Sequence, residues 1–143
     1  MERVTLSPAV RNLVWDRAKG SCEYCLIPSK YALDPRYHID HIIPLKQGGS
    51  HDDSNLALAY ASCNLHKRPS MVAWVEEDDT VSRLYDPRRH LFIEHFKLSE
   101  SGILKPLTRI AEGTIRLLHL NNVETARLRD ALYTTNRLPY FQE

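Results

Sequence analysis

Four short features in the first half of the chain carry side chains suited to chemistry. They are Cys22-x-x-Cys25, the Asp40-His41 dipeptide with Pro44 and Gly48-Gly49 after it, Asn55-Leu56, and Cys63-Asn64-x-x-Lys67. Taken singly, each has an ordinary reading. A Cys-x-x-Cys pair can be a redox dithiol, half of a zinc site, or chance. An Asp-His dipeptide can be a local surface hydrogen bond. The three cysteines are an odd number, which in a reducing compartment argues against a disulfide framework and for metal binding or a redox pair. Three is also one short of an all-cysteine zinc site. In this order and spacing, however, the set is specific.

The elements that must position these residues can be read from punctuation and periodicity. Ser7 and Pro8 read as an N-cap and first helical residue, with Val10, Leu13 and Val14 as an apolar stripe and Gly20 as the stop. Leu26 to Tyr37, with Pro28 and Pro35, reads as a loop. His38 to Ile43 reads as a strand halted by Pro44, and Lys46 to Ser54 as a polar loop. Asn55 to Ala61 is either a second strand or the run-in to a helix, and a short helix spans about Ser62 to Arg68 before Pro69. Beyond it, Met71–Val75 and Thr80–Tyr85 flank the acidic run Glu76 to Asp79 as a hairpin. Leu91–Leu98 and Ile103–Leu107 form a second hairpin signal, and Thr108 and Asn122 cap two helices. The class is α+β, with a core over residues 1–70 and a β-hairpin and two-helix extension over residues 71–143 packed on it as one domain.

The four features together resemble the HNH endonuclease family, most strongly from Val14 to Lys67 and more loosely through Leu84–Arg88 and Glu94–Phe96. The resemblance implies a treble-clef-like ββα-metal finger. It also assigns roles. Asp40 matches the carboxylate that holds a catalytic divalent cation, and Asn64 falls at the second metal-ligand position. His41 matches the general base. Asn55 matches the residue that ties down the loop carrying the base, and Lys67 a lysine one helical turn on. Expected products carry a 5′-phosphate and a 3′-hydroxyl.

Elementary chemistry agrees with that assignment. Neighbouring side chains on a strand point to opposite faces, so Asp40 and His41 can serve one phosphate only at a bulge or strand end, which Pro44 makes credible. A carboxylate and an amide oxygen suit Mg²⁺ or Mn²⁺ and leave positions open for substrate oxygens. With one metal, the attacking water needs a separate base, and imidazole titrates in the right range. Lys46, Lys67 and Arg68 are the expected backbone contacts, with the helix start near Ser62 adding positive potential.

The remaining histidines have plainer readings: His38 as structural, His51 as a solvent or phosphate contact, His90 and His95 as packing or surface residues. Arg88 and Arg89 read equally as a backbone clamp or a solvated turn. Zinc is the departure from the family pattern, because Tyr60 stands where relatives place a cysteine, and a phenol is a poor substitute for a thiolate. Three outcomes follow: no zinc, with Tyr60 packing in its place; a Cys22, Cys25, Cys63 and His66 site; or a weak site completed by water or a remote group. The balance falls on no stable structural zinc.

Composition narrows the class. Nineteen Lys+Arg against eighteen Asp+Glu give a net charge of +1, so contact with nucleic acid must use local patches. No apolar run approaches a membrane span, and the first seventeen residues lack a secretory apolar core, which points to the cytoplasm. The expectation is a metal-dependent endonuclease acting on DNA with weak sequence preference, its oligomeric state open and a dimer compatible with cutting both strands. The competing readings are a non-catalytic nucleic-acid-binding module that keeps the finger, and a thiol redox protein using Cys22 and Cys25.

Overall fold

In the computed structural model, which describes residues 6–142, helix α1 (Pro8–Arg17) starts where the serine-proline pair places it. Ser7 Oγ accepts a hydrogen bond from the Val10 N–H at 3.2 Å, satisfying one of the unpaired donors of the first turn. The helix stops before Gly20, at Arg17, and Lys19 and Gly20 turn the chain away at positive φ. The apolar stripe is narrower than its spacing predicts. Val14 is fully buried against Leu56 and Leu58, whereas Leu13 is 43% exposed. A helix resting on a two-stranded sheet has room to bury only one row.

That sheet pairs β1 (Tyr37–His41) with β2 (Leu56–Tyr60) antiparallel, with Asp40 opposite Ala57 and His41 opposite Leu56. The alternative left open for residues 55–61 therefore resolves as a strand. The first strand ends two residues earlier than its β-branched run suggests. Beyond His41 one more backbone bond, from the Ile42 N–H to the Asn55 carbonyl at 2.9 Å, precedes a side-chain closure: Asn55 Oδ1 accepts from the Ile43 N–H at 2.8 Å and Asn55 Nδ2 donates to the Ile43 carbonyl at 3.0 Å. Helix α2 (Ala61–Lys67) follows directly, completing a ββα unit.

The second half supplies two more hairpins and three more helices. Strands β3 (Val72–Val75) and β4 (Thr80–Arg83) flank the acidic tip, where Asp78 pairs with Arg109 and Glu76 with Arg116. The second hairpin is shorter than predicted. Phe92–His95 forms a single helical turn, α3, and only β5 (Phe96–Leu98) and β6 (Leu104–Pro106) pair. The turn is favoured because it buries Phe92 stacked on Phe96, with ring centroids 4.4 Å apart. Thr108 and Asn122 cap α4 (Arg109–Leu118) and α5 (Val123–Thr134), accepting from the Ala111 and Thr125 N–H groups. Over the described residues the architecture is α+β, built on three two-stranded antiparallel sheets.

One apolar cluster spans both halves. It joins Cys22, Tyr24, Cys25 and Cys63 to Tyr85, Phe96, Leu104, Leu118 and Leu132. Arg129 of α5 is completely buried against it. Its guanidinium donates to the carbonyls of Gly102, Leu120 and Cys25, at 2.8, 3.0 and 3.2 Å.

Candidate active site

The catalytic candidates meet at the end of β1. Asp40, His41 and Asn64 line one surface cavity of about 280 Å³, together with Lys46 and Arg68. His41 is the last residue of its strand, so the alternation that would separate it from Asp40 is about to break. Asp40 turns inward and His41 turns towards the loop that follows.

Asp40 is 6% exposed and heavily engaged. Its Oδ2 accepts from the Tyr24 hydroxyl at 2.8 Å and lies 3.1 Å from Lys67 Nζ. Lys67 Nζ also donates to the His41 and Ile42 carbonyls, at 3.3 and 3.2 Å. Burial pushes the Asp40 carboxyl above its ordinary range, and the Lys67 charge and the Tyr24 bond pull it back. Burial, and then Asp40 itself, hold the Tyr24 phenol protonated as a donor. Lys67 is as buried as the core leucines, so it supports Asp40 from behind and does not face a nucleic-acid backbone. The exposed cations at the cavity are Lys46 and Arg68. The cavity meets α2 at Asn64 and Arg68, near its C-terminal end, so the helix start near Ser62 does not face it.

His41 Nε2 lies 3.0 Å from His51 Nδ1. Burial first, and then the neighbouring His51, lower the His41 imidazole below its ordinary value, with Asp40 opposing. The loop that returns His51 is closed by Asn55, whose Nδ2 also donates to the Ser50 carbonyl at 2.8 Å. Two glycines make the closure possible. Gly48 has φ +89°, and a Cβ on Gly49 would stand 1.8 Å from the Ile43 carbonyl oxygen.

Two residues of this site escape sequence reasoning. Tyr24 sits inside the Cys-x-x-Cys turn, where no spacing marks it as a partner of Asp40. His51 stands ten residues after His41 in a polar loop, and only the Gly48-Gly49 turn hints that the chain doubles back. The exposed His38 side chain does not line the cavity. His90 and His95 sit together in the extension, ring centroids 4.9 Å apart.

The three cysteines form a second centre. Their sulfurs lie within 4.8 Å of one another, all buried, a grouping that can hold a metal ion. The turn carrying Cys22 and Cys25 is closed by a bridge between Ser21 and Pro28, and Cys22 Sγ accepts from the Tyr24 and Cys25 N–H groups, each at 3.4 Å. Burial resists ionisation of Cys22, but bonds from the other two thiols and from backbone amides bring it well below the usual thiol value. Burial and the bond to Cys22 hold Cys25 up, and the bonds to both partners hold Cys63 up. Sulfurs on a tetrahedral zinc stand about 3.8 Å apart for bonds of ~2.3 Å, so the trio suits three corners of such a site.

The fourth corner proposed from sequence is elsewhere. His66 is outside the cluster. Its Nδ1 lies 2.8 Å from the Ser62 carbonyl oxygen, one helical turn back, and its ring sits 4.2 Å from that of His119. A residue three positions after Cys63 lies on the same helix, and the short α2 turns it towards α4. Tyr60 does not substitute either, since its hydroxyl accepts from the Asp34 N–H at 3.3 Å.

Residues 22–70, about a third of the chain, match the family described as HNH endonuclease. No curated protein and no solved structure matches the chain significantly. The matched segment contains the cysteine trio, the β1–β2 hairpin and α2. Among the described residues, no helix is long and apolar enough to cross a membrane.

Proposed function

From this HNH-family segment we propose that the chain is a metal-dependent endonuclease that hydrolyses phosphodiester bonds of DNA. The observation that carries the reading is the convergence of Asp40, His41 and Asn64 on one cavity rimmed by Lys46 and Arg68. Asp40 and Asn64 would hold a divalent cation, Mg²⁺ or Mn²⁺. Each carboxylate oxygen has two lone pairs, so the Tyr24 and Lys67 contacts leave Asp40 capacity for one more partner. When bound, that cation supplies Lewis-acid stabilisation of the charge that builds on the phosphate and on the departing 3′ oxygen.

The residues of the chain account for the rest. With Nε2 engaged by His51, Nδ1 of His41 is the nitrogen left to take the proton of an attacking water. The water oxygen bonds to phosphorus, the bond to the 3′ oxygen breaks, and that oxygen leaves as a hydroxyl after taking a proton from solvent. Asn55 keeps the base-bearing loop in place. Lys46 and Arg68 bind backbone phosphates, which predicts weak sequence preference and binding that falls steeply with salt. The three unbridged cysteines suit a reducing compartment such as the cytoplasm.

A second reading has a specific observation behind it. Both oxygens of Asp40 are already partnered, which suits a non-catalytic nucleic-acid-binding module as well. A supercoiled-plasmid digest in Mg²⁺, Mn²⁺ or EDTA separates the two. Cleavage that needs the metal and vanishes in folded His41→Ala supports the nuclease. DNA binding without cleavage in any metal supports the module, and cleavage by His41→Ala at the wild-type rate refutes the assigned base.

A further inference from the structure

A second cavity, of about 400 Å³, lies between the end of α1, the Cys22 turn and the segment Pro87–Phe92. None of Asp40, His41 and Asn64 lines it. We propose that this cavity binds the nucleoside monophosphate group, its phosphate against Arg17, Ser21 and Arg88 and its base against Phe92 and Tyr140.

The polar wall is built but incomplete. Among the described residues, two buried side-chain polar atoms lack a hydrogen-bond partner, Arg17 Nε and Ser21 Oγ, and both residues line this cavity. Ser21 is only 6% exposed, so its hydroxyl has little solvent to turn to. An unmet buried donor carries a desolvation penalty, and a ligand oxygen bonded to it would remove that penalty. Arg17 is held in position, since its Nη2 donates to the Asp53 and Leu56 carbonyls. These bonds fix the guanidinium before any ligand arrives.

The charge points to an anion. Arg17, Lys19 and Arg88 line the cavity with one lining carboxylate, Glu23, whose two oxygens are occupied by Arg88 and the Leu58 N–H, while Asp53, outside the lining, lies 3.8 Å from Arg17. Burial, and next the Arg17 charge, bring the Arg88 guanidinium down to about 10, so a ligand phosphate would relieve a like-charge repulsion. Paired arginines with a hydroxyl recognise a phosphate better than a lone carboxylate.

The opposite wall is aromatic. Phe92 is buried and Tyr140 is part-exposed at 43%, with ring centroids 5.1 Å apart, and Leu26 and Leu91 continue the apolar surface. Such a wall takes a flat ring, and the volume falls in the range of small-ligand sites. A planar base joined to a phosphate satisfies both walls at once. The group has two sources, a free mononucleotide or the 5′-terminal nucleotide of a strand. The proposal stands whether or not the chain cuts DNA.

Calorimetric titration of the full chain in EDTA tests it, with AMP, GMP, CMP and UMP, with adenosine and inorganic phosphate as separated halves, and with a short single strand with and without a 5′-phosphate. At least one mononucleotide, or the phosphorylated strand alone, should bind at least tenfold more tightly than adenosine or phosphate. Ser21→Ala should weaken that binding about threefold or more, and the exposed change Lys19→Glu similarly, both in protein whose circular dichroism is unchanged. Mononucleotide binding assigns a free ligand, and binding confined to the phosphorylated strand assigns a strand end. No binding at millimolar concentration, affinity matched by phosphate alone, or indifference to both substitutions overturns the proposal.

Discussion

His41 Nε2 and His51 Nδ1 face each other at 3.0 Å, so one of the two rings must donate and the other accept. The contact orients the ring of His41 and leaves its other nitrogen for a proton from outside. His51 reaches this position because Asn55 and the Gly48-Gly49 turn fold residues 43–50 back on the strand end.

The pH dependence of the proposed cleavage follows from this pair. Burial and His51 lower the His41 pKa, so the base stays unprotonated into mildly acidic solution. The acid limb of the cleavage rate should therefore lie below pH 6.5. His51→Phe keeps the burial but removes the like charge, which raises the His41 pKa and moves that limb to higher pH. A pH–rate profile of both proteins checks this, and an unmoved limb would rule out the coupling.

Lys67→Met should destabilise the protein by about 3–5 kcal/mol at pH 7, because it strands the Asp40 carboxylate in the core without its cation. The sign with pH is fixed by Asp40. Its pKa is already raised, and loss of Lys67 raises it further, so the penalty shrinks as pH falls and the carboxyl takes up a proton. The double variant Asp40→Asn/Lys67→Met should recover most of the loss. Urea unfolding at neutral and acidic pH measures all three.

Asn55→Ala removes three hydrogen bonds that close the loop, to the Ile43 N–H, the Ile43 carbonyl and the Ser50 carbonyl. A loss of about 2–4 kcal/mol is expected, since part-buried groups are left unpaired. Hydrogen exchange should accelerate across residues 43–51, and cleavage should fall because His51 no longer steadies His41. Asn55→Asp keeps the acceptor for the Ile43 N–H but turns a carboxylate oxygen on the Ile43 and Ser50 carbonyl oxygens, so at neutral pH it should cost at least as much as Asn55→Ala.

The cysteine trio should bind a thiophilic ion. Added Zn²⁺ should raise the melting temperature of metal-free protein, with a gain of about 2.7 kcal/mol at a hundredfold excess over Kd, and a chelator should reverse it. Cys63→Ser should abolish the response. With three protein ligands and no fourth from His66 or Tyr60, the ion should exchange faster with a chelator than from a four-cysteine site. An unchanged melting temperature would return the centre to the zinc-free reading of the sequence.

How much of this was legible beforehand depended on range. Local rules held where one residue answers to its neighbours: Ser7, Thr108 and Asn122 cap the helices their positions suggest, and Pro44 follows closely on the end of β1. The pairing of β1 with β2 was half-visible, because a five-residue apolar run is ambiguous until its partner is known. Contacts made by folding distant segments together carried no sequence signal. Lys67 looks like a solvent-facing lysine of a short helix, and only the buried carboxylate 27 residues upstream turns it inward. His66 has ligand-like spacing from Cys63, but the rotation of α2 takes it to the other side. The Phe92–His95 turn interrupts a segment that alternates well enough to pass for a strand.

Arg129 has a temporal consequence. Its Nη1 meets the Cys25 carbonyl across 104 residues of chain, in the same cluster that holds the cysteine turn. A chain emerging from the ribosome N-terminus first exposes the cysteines, the Asp-His pair and Asn64 long before α5 is available to close over them. Contacts of such separation form late, after the entropy of closing the loop has been met. The cysteine turn therefore reaches its final packing only after α5 has been released, more than a hundred residues behind the segment it closes over.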